Sequence, residues 1–354
     1  MKKMFTPITL GEMTLPHRLV MSPMTRSRAQ ENGVPREFTV TYYEQRASMG
    51  LLISEGVQPS DDGQGYMNTP GIYREEHIVG WKKVTDAVHT AGGHFFMQLM
   101  HAGRMAHPAN TPHGRQPVAP SAIAPNTTLY TPEGLQEVPT PRALTKDEIQ
   151  ETIQDFVHAA KSAIAAGADG VEIHGASGYL IQQFFMPSSN QREDEYGGSK
   201  ENRARFGLEV AKAIADAIGK EKVGFRISPG DLPFNGIQEG EQSMEFYDYF
   251  AEQLAKLDIA YLHLMHFGND PLLQMVRKKW PHTLIVNRAG RPLEQIDEDI
   301  ENNLADISAI GVWALANPDF IDRLKKNAPL NEPDPTTFYG GEAKGYIDYP
   351  TLNE

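Results

Sequence analysis

Eight short apolar runs, separated by stretches of helical periodicity, constrain this 354-residue chain more than any other feature. Arg18–Met21, Leu51–Ser54, His94–Leu99, Gly170–His174, Val223–Ile227, Tyr261–Met265, Leu284–Asn287 and Ile307–Ile310 read as buried strands. Helical patterns fall at Glu75–Thr90, Lys146–Ala166, Lys200–Ile218, Glu241–Lys256, Leu293–Asn303 and Pro318–Lys326. Alternating strands and helices imply parallel pairing through right-handed crossovers, and eight such units close into a (β/α)8 TIM barrel, an α/β fold. A doubly wound sheet would stop near about six strands and carry a glycine-rich turn after its first, and none follows Val20. A single domain over residues 1–354 is expected. The Pro-, Thr-, Asn- and Gly-rich stretch 102–141, after the third strand, is long enough for a lid or excursion at the functional face, and 330–354 is expected as a tail near the barrel mouth.

Charge and composition narrow the partners. A net charge of −13 excludes nucleic acid and anionic membrane as main partners, since both require a basic surface. Absence of cysteine excludes thiolate catalysis, disulfides and cysteine-ligated metals, so redox chemistry would need a bound cofactor. The first residues have the charges of a signal peptide without its apolar core, and no run reaches membrane-spanning length. A cytoplasmic enzyme acting on a small molecule, monomeric or homodimeric, is the expectation.

Barrel enzymes place their reacting groups at the carboxyl ends of the strands. The residues there are Thr25 and Arg26, Glu55 and Gly56, Gln98 and His101, His174 with Ser177 and Tyr179, Arg226, His266, Asn287 with Gly290, and Gly311. In Asp169-Gly-Val-Glu-Ile-His-Gly-Ala-Ser-Gly-Tyr a strand ends on His174 and enters a turn with glycines at 175 and 178. Imidazole and hydroxyl there could hydrogen-bond one carbonyl oxygen while the Tyr179 phenol delivers a proton to a neighbouring carbon. The alternative is that His174 and Tyr179 pack and satisfy loop amides. His101, His174, His263 and His266 come without a carboxylate pattern, so no metal is expected.

That segment, with Pro187-Ser-Ser-Asn-Gln-Arg-Glu-Asp-Glu-Tyr-Gly-Gly-Ser-Lys-Glu-Asn-Arg, resembles the old yellow enzymes, and the likeness extends over essentially the whole chain. Ser22-Pro-Met-Thr-Arg, Leu52-Ile-Ser-Glu-Gly, Gln98-Leu-Met-His-Ala-Gly-Arg, Arg226-Ile-Ser-Pro and Asn331-Glu-Pro-Asp-Pro agree with it, nearest to the bacterial N-ethylmaleimide reductase-like branch. The resemblance implies a flavin mononucleotide (FMN) at the barrel mouth, reduced by NADPH or NADH. Hydride would pass from flavin N5 to an electron-poor alkene, such as an enone or maleimide, or to a nitro compound. By position, Thr25 would bond flavin O4, Gln98 the pyrimidine edge and Arg226 the N1/O2 side, where reduced flavin gathers negative charge. Pro23, Met24 and Gly56 would line the ring, and Gly290 and Gly311 the phosphate end. His174 and Ser177 would hold the substrate carbonyl, Tyr179 would donate the proton, and Tyr66, Met100 and Tyr339 would border the substrate.

Four positions depart from the family pattern. Ser177 stands for Asn or His and has a shorter reach, and Met100 replaces a Trp that shapes the pocket. Ala289 replaces a glycine and Val312 the phosphate-binding arginine, leaving Arg288 or Arg291 as substitutes. Loss of one charged hydrogen bond costs about 1.5–3 kcal/mol, so weaker FMN binding is expected. Ser177, Ala289 and Val312 favour an alternative, a divergent barrel with weak or lost FMN binding and a non-redox role in isomerisation or ligand binding.

Overall fold

A computed structural model describes residues 2–231 and 236–353. Eight parallel strands close a barrel in chain order: β1 Leu19–Met21, β2 Leu52–Ile53, β3 Phe95–Leu99, β4 Gly170–Gly175, β5 Val223–Ile227, β6 Tyr261–His266, β7 Thr283–Arg288 and β8 Ile307–Ile310. Helix Glu75–Thr90 runs as the periodicity predicts, and Lys146–Ala165 begins where a capping box dictates. There the Thr145 hydroxyl accepts from the Glu148 amide while the Glu148 carboxylate accepts from the Thr145 amide. Helix Lys200–Ile218 starts at the Ser199 cap and stops at Gly219, whose φ of +95° ends the helical run.

One expected helix is corrected. Leu293–Asn303 divides into a 3-10 turn, Leu293–Gln295, and a single short helix, Glu298–Glu301. The Asp299 carbonyl accepts from the amides of both Leu304 and Ala305, turning the chain back before a longer helix can form. Helices Glu37–Glu44, Leu180–Phe185, Asp270–Lys279 and Val312–Ala316 are short, and their apolar spacing was too brief to read.

The barrel interior is built in layers. At the amino end Val20, Ile53, Phe96, Tyr261, Ile285, Ile307 and Ala309 form an apolar layer, plugged by Leu10 and Leu15 of the hairpin Ile8–Leu10/Met13–Leu15. Side chains of a strand alternate, so the next inward positions toward the mouth are Gln98, Glu172, Arg226 and His263. Stretch 102–141 carries the hairpin Thr128–Thr131/Gly134–Glu137, and its Leu129, with Met105 and Val138, packs against Tyr66 and Tyr179. Among the described residues no helix is long and apolar enough to cross a membrane.

Candidate active site

The mouth on the β3–β6 side is a buried polar cluster. Glu172, fully buried, accepts from Gln98 Nε2 at 2.8 Å, from the Tyr261 hydroxyl at 3.0 Å and from His263 Nδ1 at 2.9 Å. Burial opposes its ionisation, but His263, Arg226 and Gln98 outweigh that and hold the carboxyl below its ordinary value. Burial keeps His263 neutral, so its Nδ1 carries the donated proton. Glu172 was not foreseen. A lone glutamate two residues before His174 on an apolar strand, hence on the same inward face, was the available signal.

Arg226 makes few hydrogen bonds within the protein. Its Nη2 touches Met265 Sδ at 3.2 Å, and its buried Nε has no partner. An unpaired guanidinium nitrogen beside a mouth is what a bound anion or carbonyl edge would satisfy. Gln98 likewise spends its amide nitrogen on Glu172 and retains its carbonyl oxygen.

His174 follows on β4, 5% exposed. Its Nδ1 accepts from the Ala176 amide at 3.2 Å, which assigns the ring proton to Nε2 as the outward donor. Burial first, then the Arg226 guanidinium, push its pKa well below the imidazole value. Tyr179 stacks edge-on against His174 at 4.9 Å and lies at the start of helix Leu180–Phe185. Its hydroxyl is 2.9 Å from that of Tyr66, and burial raises both phenols, so both are protonated at neutral pH. Ser177 has φ +56°, and its amide donates to Ser228 Oγ at 2.8 Å. Behind it Gln182 accepts from the Gly178 amide and donates to Glu239, so this turn is held by a network the sequence did not reveal.

Around this cluster, Met100 is buried against Gly56, where a Cβ would fall 2.5 Å from the Met100 sulfur. Met24, beyond Pro23 and before Thr25, reaches Gly311: a Cβ there would meet only Met24 Sδ, at 3.7 Å. Tyr339 is 71% exposed on the tail and close enough to Tyr66 and Tyr179 to raise both phenols. Arg26 does not face the mouth; it donates to the tail carbonyls of Phe338 and Gly345. Glu55 accepts from the amides of Arg26 and Ser27, and His101 accepts from Gly103.

The β7–β8 side differs. Gly290, at φ +75°, and Gly311 border open space, and Val312 is 40% exposed. Arg288 and Arg291 both bind Asp299, at 3.0 Å and 2.8 Å, with Asp270 and Glu298 as further partners. Both arginines are thus largely committed to carboxylates, and each keeps a buried Nε without a hydrogen-bond partner among the described residues.

A barrel with this mouth matches the NADH:flavin oxidoreductase / NADH oxidase family over residues 3–331. The chain belongs to that family, the old yellow enzymes. It is 42% identical to a "Probable flavin mononucleotide-dependent alkene reductase" of Leishmania infantum, across 99% of this chain and 97% of that protein. Morphinone reductase in complex with tetrahydroNAD superposes with a TM-score of 0.93 at 41% identity, across 99% of this chain and 97% of that one. The old yellow enzyme homologue from Zymomonas mobilis gives 0.95 at 37%, across 99% and 100%. The polar groups at this mouth fit the ring of a flavin: Arg226 has an unspent nitrogen and Gln98 an unspent carbonyl oxygen among the described residues.

Proposed function

We infer that this protein is an FMN-dependent ene reductase, using NADPH or NADH to reduce activated C=C bonds of enones and maleimides, and nitro compounds. The observation that carries the reading is the convergence of a neutral His174 donor, a protonated Tyr179 and an Arg226 whose buried Nε is unpaired among the described residues, at one mouth. Bound FMN would supply the hydride. His174 Nε2–H would hold the substrate carbonyl and stabilise the negative charge that develops on its oxygen, with Ser177 as second donor. Tyr179 would give its proton to the α-carbon, and Tyr66, 2.9 Å away, would donate to the phenolate left behind. Gln98, Arg226 and Thr25 would hold the pyrimidine side of the ring, with Pro23, Met24 and Gly56 against its faces. Gly290 and Gly311 would admit the phosphate chain. Tyr66, Met100, Tyr339 and the hairpin at 128–137 would bound the substrate and exclude water. The non-redox alternative gains nothing from these relatives, whose names are those of reductases.

Anaerobic NADPH or NADH added to protein reconstituted with FMN tests the reading. Bleaching of the flavin band, and its return on adding cyclohexenone, is expected. A protein that takes up no FMN, or whose flavin does not bleach with either nucleotide, would refute it.

A further inference from the structure

We propose that Glu172 is a positioning residue that fixes the Gln98 amide and offsets the charge of Arg226, thereby holding down the reduction potential of the bound flavin. This rests on the flavin site inferred above. The layer beneath is apolar apart from the Tyr261 hydroxyl, which donates to Glu172, so the packing of the barrel does not itself call for a carboxylate here. Replacing a buried charge by hydrophobic residues is commonly neutral or stabilising, so a charged interior layer points to a use above it. The chain also gives up side chains to build it. Gly224 leaves the space that the Tyr261 ring occupies in crossing to Glu172, and Gly170 does the same for Phe96 below.

Orientation follows from chemistry. An ionised carboxylate only accepts, and Oε1 of Glu172 takes its bond from Gln98 Nε2. A flipped Gln98 would set oxygen against oxygen. Its carbonyl must therefore face the mouth, as an acceptor suited to the imide N–H of a flavin's pyrimidine edge. The second effect is electrostatic. Glu172 and Arg226 attract each other through the buried layer without hydrogen-bonding, so part of the arginine's field is cancelled before any flavin arrives. Reduced flavin carries negative charge toward Arg226. Without Glu172 that charge would meet the whole field, and the reduced form would gain.

The experiment compares flavin-loaded parent, Glu172→Gln, Glu172→Asp and Tyr261→Phe by dye-equilibrated potentiometry and by flavin titration of the apoprotein. Glu172→Gln should shift the reduced-to-oxidised ratio upward by about tenfold, equivalent to about 30 mV for two electrons. Tyr261→Phe removes a hydrogen bond to the same carboxylate but no charge, and should stay within about twofold of the parent. Glu172→Asp keeps the charge but withdraws it from Gln98, so affinity for FMN and riboflavin alike should fall about tenfold, with little change in potential. An unchanged or lowered potential in Glu172→Gln overturns the proposal. If that variant does not fold, undiminished flavin affinity in Glu172→Asp overturns it instead. A parent that holds no flavin refutes the function, and this role with it, whereas a flavin-loaded parent whose variants match it refutes the role alone.

Discussion

On the β3–β6 side of the mouth, charge is buried and arranged so that something is left over: Glu172 absorbs three donors, while Arg226 keeps an unpaired Nε. On the β7–β8 side, charge is plentiful but paired with carboxylates, with only the buried Nε atoms of Arg288 and Arg291 left over. Arg288 and Arg291 share Asp299, and the exposed position beside Gly311 is a valine. Both sides descend from the same barrel geometry, which puts strand ends around one opening. Under the proposed function the contrast would separate chemistry from retention: the first side would hold the flavin ring and substrate carbonyl, whereas the second would offer a phosphate little beyond space.

The sharpest way to break that comparison is at Tyr179. If the β3–β6 side performs the chemistry, Tyr179→Phe should slow reoxidation of the reduced protein by cyclohexenone about 10²–10⁴-fold, with flavin reduction by NADPH or NADH little affected. Stopped-flow measurement of the two half-reactions decides it; an unaltered oxidative half-reaction removes Tyr179 from the mechanism. On the retaining side, Val312→Arg should tighten FMN about ten- to a hundredfold by supplying a planar donor pair. Riboflavin affinity should not move, because it lacks the phosphate. If fluorescence-quenching titrations give equal gains for both ligands, the arginine acts elsewhere.

A smaller effect is expected at Ser177→Asn. The longer amide reaches further toward a bound carbonyl, and asparagine tolerates the left-handed backbone at φ +56° better than serine does. Affinity for a phenolic ligand should improve about two- to tenfold, read from its long-wavelength absorbance with oxidised flavin. A weakened complex would mean that residue 177 does not face the ligand. The smallest change expected is with pH. His174 lies well below 6.5 and Tyr179 above 10, so between those values the imidazole stays neutral and the phenol protonated. The oxidative half-reaction should then vary less than about twofold from pH 6.5 to 9. An acid limb centred near 6.5 would show that His174 titrates as an ordinary imidazole.

Much of this was legible because the relevant signals are local. Val223–Ile227 and Ile307–Ile310 are strands as their apolar runs indicated, and Thr145-Lys-Asp-Glu148 marks its helix start by side-chain chemistry alone. Residues 293–303 misled because their periodicity was overridden by a tertiary demand, Asp299 serving two arginines and two amides at once. Glu172 was missed for a related reason. Its partners Gln98, Tyr261 and His263 come from other strands, so no window of sequence shows the donors that make a buried carboxylate tolerable.

The tail has a consequence for how the molecule is made. Arg26, Arg28 and Arg46, each almost wholly buried, direct their guanidinium hydrogen bonds mainly to main-chain carbonyls of residues 314–346, and Tyr42 stacks on Tyr346 at 4.1 Å. During synthesis these three cations emerge roughly 300 residues before their acceptors. Until then these guanidinium groups lack the acceptors that let them be buried, and Tyr42 on helix Glu37–Glu44 lacks the Tyr346 ring it stacks on. Closure of the barrel seam between β8 and β1 and docking of the tail therefore fall late in folding, so that a nascent chain lacking residues 337–346 should remain open to proteolysis near residue 46.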